Sequence, residues 1–213
     1  LKLDDNTLVM FTSDNGAWFG GSCGGLRGMK GSTYEGGYRV PCIARWPGKI
    51  PANQTLDQLA VSMDLFSTAL AAAEVHPPAD RVIDGRDLLP VLSTNAKSPH
   101  DVIVEAAGNR LSSIRDSRWK LHVLPPRDQF MLLDKPGQRW IDPRAPDGVT
   151  IIAPYEQYQP SEHPGLRTGD APKAMQLFDL QSDPAEQHDV AAEQPEIVAH
   201  LKKSFDAINA DVK

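Results

Sequence analysis

The stretch Leu8-Val9-Met10-Phe11-Thr12-Ser13-Asp14-Asn15-Gly16 sets a carboxylate beside an amide just after a short apolar run. The run predicts a buried strand, and ligands of open α/β sheets sit beyond the carboxyl ends of strands. A hard divalent cation takes oxygen donors. Asp14 offers a charged oxygen and Asn15 a neutral one. Further on, Gly28-Met29-Lys30-Gly31 carries the only lysine of a glycine-rich stretch. Glycine lets the backbone come close to an anion, and lysine brings a compact positive charge. A cation and an ammonium at one strand end describe a site for a multiply oxygenated anion, sulfate or phosphate. Each piece also has a plainer reading. Asp-Asn-Gly is a common turn, and a lone lysine is usually a solvated charge. Glu35 and Arg39 have the spacing of a helical salt bridge worth only ~0.3–0.5 kcal/mol. Gly36-Gly37 between them disfavours a helix, so a loop ion pair is expected there.

Taken together, FTSDNG, GGSCGGLRGMKGSTYEGGYRVP and IARWPGKI resemble the type I sulfatase (arylsulfatase) family of the alkaline-phosphatase-like superfamily. The resemblance continues through Ser62-Met63-Asp64-Leu65-Phe66 and Ile83-Asp84-Gly85-Arg86-Asp87-Leu88-Leu89-Pro90. It returns more loosely at Arg115–His122 and in LFDLQSDPAEQHDV near the end, and it is weak from Pro125 to Met175. It implies an α/β alkaline-phosphatase-like sandwich with a small antiparallel sheet subdomain and a C-terminal helix. It implies hydrolysis of sulfate esters, with Asp14 and Asn15 as ligands of one calcium ion and Lys30 as the catalytic contact to the sulfate. The family's nucleophile is a formylglycine made from cysteine or serine. Neither Cys23-Gly24-Gly25-Leu26-Arg27 nor Cys42-Ile43-Ala44-Arg45-Trp46 matches the modification motif, so the nucleophile is expected upstream. On this reading the chain is the C-terminal portion of a sulfatase, inactive and poorly stable alone. Periplasmic or extracellular placement also follows from the resemblance only. Two other readings stay open: a phosphate or phosphonate ester hydrolase of the same superfamily, and a non-catalytic carbohydrate-binding remnant.

These residues need elements to position them. Cys42–Trp46 reads as a strand ended by Pro47-Gly48. Asp64–Glu74 reads as a helix capped by Ser62 or Asp64 and ended by Pro77-Pro78, and Asp87–Leu92 as a short helical turn. A boundary at Lys97–His100 divides the chain into residues 1–96, part of the catalytic domain, and 97–213, a smaller subdomain. In the latter, Asp101–Glu105 predicts a strand, Leu111–Ile114 and Trp119–Val123 a hairpin around Asp116-Ser117, and Met175–Leu180 a further strand. Pro195–Val212 has apolar residues near the helical period, with Pro195 in the first turn.

The proline-rich stretch 125–172 is irregular and long enough to be functional. It interleaves Trp140, Tyr155 and Tyr158 with Arg139, Arg144 and Arg167. Trp140, and Asn109 ahead of the hairpin, are candidates to line a substrate rim for a sulfated small molecule or carbohydrate. The plainer reading is a long excursion with a few anchoring aromatics.

The 213 residues carry a net charge of −6, so no basic surface argues for nucleic acid. No apolar run approaches the ~20 residues of a membrane span. Two cysteines do not make a disulfide framework. None of the six histidines falls in a matching motif, and each is expected at the surface or partly packed.

Overall fold

The computed structural model describes residues 3–17, 22–127, 139–141, 152–154 and 169–212. The chain forms two compact units, both discontinuous in sequence. The first comprises 1–14 and 41–103, the second 15–40 and 104–213. The glycine-rich segment therefore groups with the later strands and not with the strand that precedes it.

In the first unit, β1 (Val9–Thr12) pairs antiparallel with β2 (Cys42–Arg45), Phe11 opposite Ile43. The expected strand forms but is not buried: Val9, Phe11 and Ile43 are 48, 64 and 61% exposed. Among the described residues this ribbon has only two strands, and two strands leave their faces uncovered. Arg45 chelates Asp4 through both guanidinium nitrogens at 2.8 and 3.0 Å.

Helix α1 is the single turn Glu35–Tyr38 of the second unit. In the first unit, α2 (Asp64–Ala72) packs on α3 (Leu89–Thr94). Neither Ser62 nor Asp64 caps α2. Asp64 instead lies inside its first turn, fully buried, and accepts the Val61 and Arg86 amides and His100 Nε2, each at 2.8 Å. The helix ends at Ala72, ahead of the prolines, where Glu74 takes a left-handed backbone. Thr68 Oγ1 accepts the Leu88 amide at 2.9 Å. A Cβ on Gly85 would stand 2.1 Å from the Met63 carbonyl oxygen. The two motif segments around Asp64 and Gly85 are thus halves of one hydrogen-bonded support.

The second unit is built on an antiparallel sheet in the order β3 (Ile103–Ala107), β4 (Arg110–Arg115), β5 (Trp119–His122), β8 (Gln176–Asp179). Two short strands, β6 (Arg139–Ile141) and β7 (Ile152–Pro154), pair with each other. Strand alternation and register put Ile114, Leu121 and Leu177 on one face. Helix α4 (Pro195–Asp211) packs on β4 and β5 and buries Leu201 and Phe205. The opposite face carries Ser113, Arg115, Lys120, His122, Gln176 and Phe178, and all but Arg115 are buried as deeply as an apolar core.

Candidate functional site

Lys30 occupies a turn. The Ser32 amide donates to the Met29 carbonyl at 2.8 Å, closing Met29-Lys30-Gly31-Ser32. Gly31 has φ 90°, which places Lys30 second in a turn whose third residue takes positive φ, a place where glycine costs no strain. The Lys30 amide donates to the Ala17 carbonyl at 2.9 Å, and the Gly16 amide to the Gly37 carbonyl at 2.9 Å. Residues 15–17 are thereby strapped along the loop that carries Lys30. Asp14, exposed at the end of the first unit, immediately precedes this strap, and the Ser13 hydroxyl lies 3.4 Å from its Oδ1.

The loop folds back on itself. The Gly36 amide donates to the Arg27 carbonyl at 2.8 Å. A Cβ at Gly36 would stand 2.3 and 2.4 Å from the Gly28 and Arg27 carbonyl oxygens, so only glycine allows this approach. Thr33 donates its amide to the Arg127 carbonyl at 3.1 Å and accepts the Arg127 amide on Oγ1 at 2.8 Å. Arg27 is buried, its guanidinium 4.0 Å above the Tyr34 ring. It donates to the carbonyls of Glu186 and Asp170, each at 2.9 Å.

Glu35 does not form the expected pair with the Arg39 side chain. Its carboxylate is buried and meets Arg115 at 2.7 Å and Lys120 at 3.1 Å. The fully buried Lys120 ammonium also lies 3.0 Å from Glu105 and 3.6 Å from Glu186. Burial alone would raise the Glu35 pKa, but the charges of Lys120 and Arg115 outweigh it and hold the group below its ordinary value. Burial opposes the charge on Lys120 too, and the three carboxylates reverse that and hold it firmly protonated.

His122 is fully buried, against the expectation of a surface or partly packed ring, and its Nε2 lies 2.7 Å from Glu186 Oε1. Burial, reinforced by Lys120, keeps the imidazole neutral, whereas burial lifts Glu186 to about 7. The imidazole and the carboxyl meet in one short buried contact. This network went unread in the sequence, although one signal was present. Lys120 and His122 flank Leu121 in a strand, so all three cannot face solvent, and a buried lysine needs carboxylates near it.

Asn109 and Trp140, the other expected site residues, both belong to the second unit. Asn109 is exposed in the turn joining β3 to β4, after Gly108 with φ 68°, and a two-residue hairpin turn accounts for it. Trp140 lies on β6 opposite Ala153. Tyr155, Tyr158, Arg144 and Arg167 lie outside the described residues. A cleft of about 780 Å³ beside the end of α2, bordered by His76, Arg81 and Arg86, holds none of the expected site residues.

For calcium, the donor chemistry of Asp14 and Asn15 fits a hard cation. Two residues supply only part of the six to eight oxygens such an ion takes, and among the described residues no group of three His, Cys, Asp or Glu side chains is placed to hold a metal ion. The two cysteines, neither of which stands in the modification motif, have ordinary surroundings. Cys23 Sγ is 3.2 Å from the Gly36 carbonyl oxygen, and Cys42 is paired with Thr12 in the β1–β2 ribbon. Burial raises the pKa of both thiols.

Residues 1–75, which hold Asp14, Asn15 and Lys30, match the sulfatase family model. The chain belongs to the sulfatase family. It is 43% identical over 128 residues to N-acetylgalactosamine-6-sulfatase of Canis lupus familiaris, covering 57% of this chain and 24% of that protein. It is 32% identical to steryl-sulfatase of Rattus norvegicus across 97% of this chain and 35% of that protein. The crystal structure of a sulfatase from Pseudoalteromonas sp. superposes with a TM-score of 0.65 at 25% identity, covering 97% of this chain and 37% of the other. The fold is thus the alkaline-phosphatase-like one of the sulfatases. This sulfatase-family chain spans about a quarter to a third of the length of the two relatives named. Among the described residues no helix is long and apolar enough to cross a membrane.

Proposed function

We propose that the protein carrying this chain hydrolyses organic sulfate esters, and that residues 14–37 hold the sulfate group. The observation that carries this reading is Lys30 in a glycine turn buttressed on both sides by backbone hydrogen bonds, within the segment that matches the sulfatase model. A positioned ammonium stabilises charge on the sulfate oxygens without having to reorganise as the S–O bond breaks. Asp14 and Asn15 would hold a calcium ion, which supplies Lewis-acid charge at the same oxygens. Neither Cys23 nor Cys42 stands in the formylglycine modification motif.

The names of the relatives set two substrate classes, a sulfated hexosamine and a sulfated sterol. A sulfated carbohydrate or small molecule is the corresponding proposal here, with Trp140 and Asn109 at the rim. Replacing Trp140 should then shift the preference among sulfated substrates more than it changes turnover of a small aryl sulfate. An unchanged preference would make that residue a scaffold.

The test is aryl sulfate hydrolysis by the protein as its natural gene encodes it. Lys30→Ala should lower kcat/KM by about a hundredfold or more, with Lys30→Arg intermediate. Added calcium should raise the melting temperature, and Asp14→Ala should abolish that shift. Turnover unaffected by Lys30→Ala would sink the assignment of the sulfate contact. A melting temperature indifferent to calcium would remove the metal.

A further inference from the structure

Glu186 does three things at once inside the second unit. Its main-chain carbonyl accepts Arg27 Nη1 at 2.9 Å. Its Oε2 accepts the Glu35 amide at 2.5 Å. Its Oε1 meets His122 Nε2 at 2.7 Å and lies 3.6 Å from the Lys120 ammonium. Arg27 and Glu35 are the two roots of the loop whose tip is Lys30. The roots are tied to each other as well, through the Gly36 amide and the Arg27 carbonyl. Glu186 is fully buried and holds a left-handed backbone, φ 53°. That conformation is uncommon for a residue with a side chain and needs surroundings that over-determine it. A glycine would take the backbone more easily but would leave the Glu35 amide and His122 without a partner.

We propose that Glu186 is a positioning residue for Lys30: it clamps both roots of the glycine loop and so sets where the ammonium stands at the sulfate. The inference rests on the reading of Lys30 as the sulfate contact. Its structural half, that Glu186 holds the loop, can be tested apart from that reading.

The groups facing the clamp are Lys120 and His122 from β5, Glu35 from α1, Arg27 from the loop and, through Lys120, Glu105 from β3. Glu186 is hydrogen-bonded to both roots at once. The clamp should therefore fail in a particular pattern. Glu186→Gln keeps an oxygen for the Glu35 amide and the main-chain carbonyl for Arg27. Glu186→Ala keeps only the carbonyl.

The experiment uses the protein as its natural gene encodes it. Amide hydrogen exchange is followed over residues 27–37 and, as control, over α2 and α3 of the other unit. Kinetics with an aryl sulfate are measured in the parent and Lys30→Ala backgrounds. Glu186→Ala should speed exchange at Gly36 and around Lys30 by about tenfold or more, leaving α2 unchanged, and Glu186→Gln should stay near the parent. In the parent background Glu186→Ala should lower kcat/KM by about tenfold or more. In the Lys30→Ala background it should lower it no further, because residues acting as a unit are not additive.

Parental exchange in the loop of Glu186→Ala overturns the clamp. Equal losses of rate in both backgrounds overturn its action through Lys30. If Lys30→Ala leaves turnover intact, the sulfate reading fails, and the exchange pattern still decides whether Glu186 holds the loop. Should Glu186→Ala not fold, Arg27→Lys takes its place. It removes one root tie and must loosen residues 27–37 selectively, and parental exchange there overturns the proposal equally.

Discussion

Lys120 is an ammonium with no accessible surface, set among the carboxylates of Glu35, Glu105 and Glu186. Removing one partner from a buried ionic cluster leaves uncompensated charge, a loss of about 3–5 kcal/mol. Lys120→Met should therefore lower the denaturation midpoint severely, by more than any exposed pair such as Lys97–Asp101 could. The same cluster sets a pH dependence. Glu186 is raised from an ordinary 4.5 to about 7, so the folded chain binds more protons than the unfolded one between those values. Its contribution to stability is complete below about 4.5 and is lost as pH rises through about 7, at most ~1.4 kcal/mol per pH unit. Glu186→Gln lacks this loss, so its stability relative to the parent should climb from pH 5 to pH 8 in urea titrations. At this scale the sequence singled out Lys30, Asp14 and Asn15 as candidates, because motif residues stand next to their glycines and turns. It did not show the Glu186 clamp. Its members are separated by up to 159 residues, and nothing local announces a partnership made only by tertiary folding.

Helices, hairpin and closing strand were legible from periodicity: β4 and β5 turn at Asp116-Ser117, and α4 runs from Pro195 as its spacing indicates. Periodicity did not show that the polar face of β5 is buried. β5 carries Lys120 and His122 toward the glycine-rich segment, and its apolar side meets α4. Both faces are consequently sensitive. Leu201→Ala in α4 should cost about 2–5 kcal/mol by leaving a cavity. Gly36→Ala should fail differently, since its methyl would meet backbone carbonyls at 2.3 and 2.4 Å that cannot move aside cheaply. Crowding of that kind costs about 1–3 kcal/mol or more. Far-ultraviolet signal with lost exchange protection at 27–37 would be its signature, whereas Leu201→Ala should lower the melting temperature without singling out the loop.

Across the whole molecule, the units differ in how they are finished. The second has a sheet covered on both faces. The first exposes Val9, Phe11 and Ile43 on one side of a two-stranded ribbon, and exposed apolar patches favour association. Phe11→Ser with Ile43→Thr should reduce concentration-dependent light scattering by this chain, and scattering unaltered by both would place its source elsewhere. The second unit has another consequence. Arg127 is hydrogen-bonded both ways to Thr33, while the Asp170 carbonyl accepts from Arg27 and the Asp170 amide donates to the Gln187 carbonyl at 2.8 Å. The feet of everything between them are thus pinned to the loop that carries Lys30. Such footings fix where the intervening span must begin and end. A counterpart of different length could be grafted between the same two posts, with the turn from Arg27 to Gly37 left as it stands.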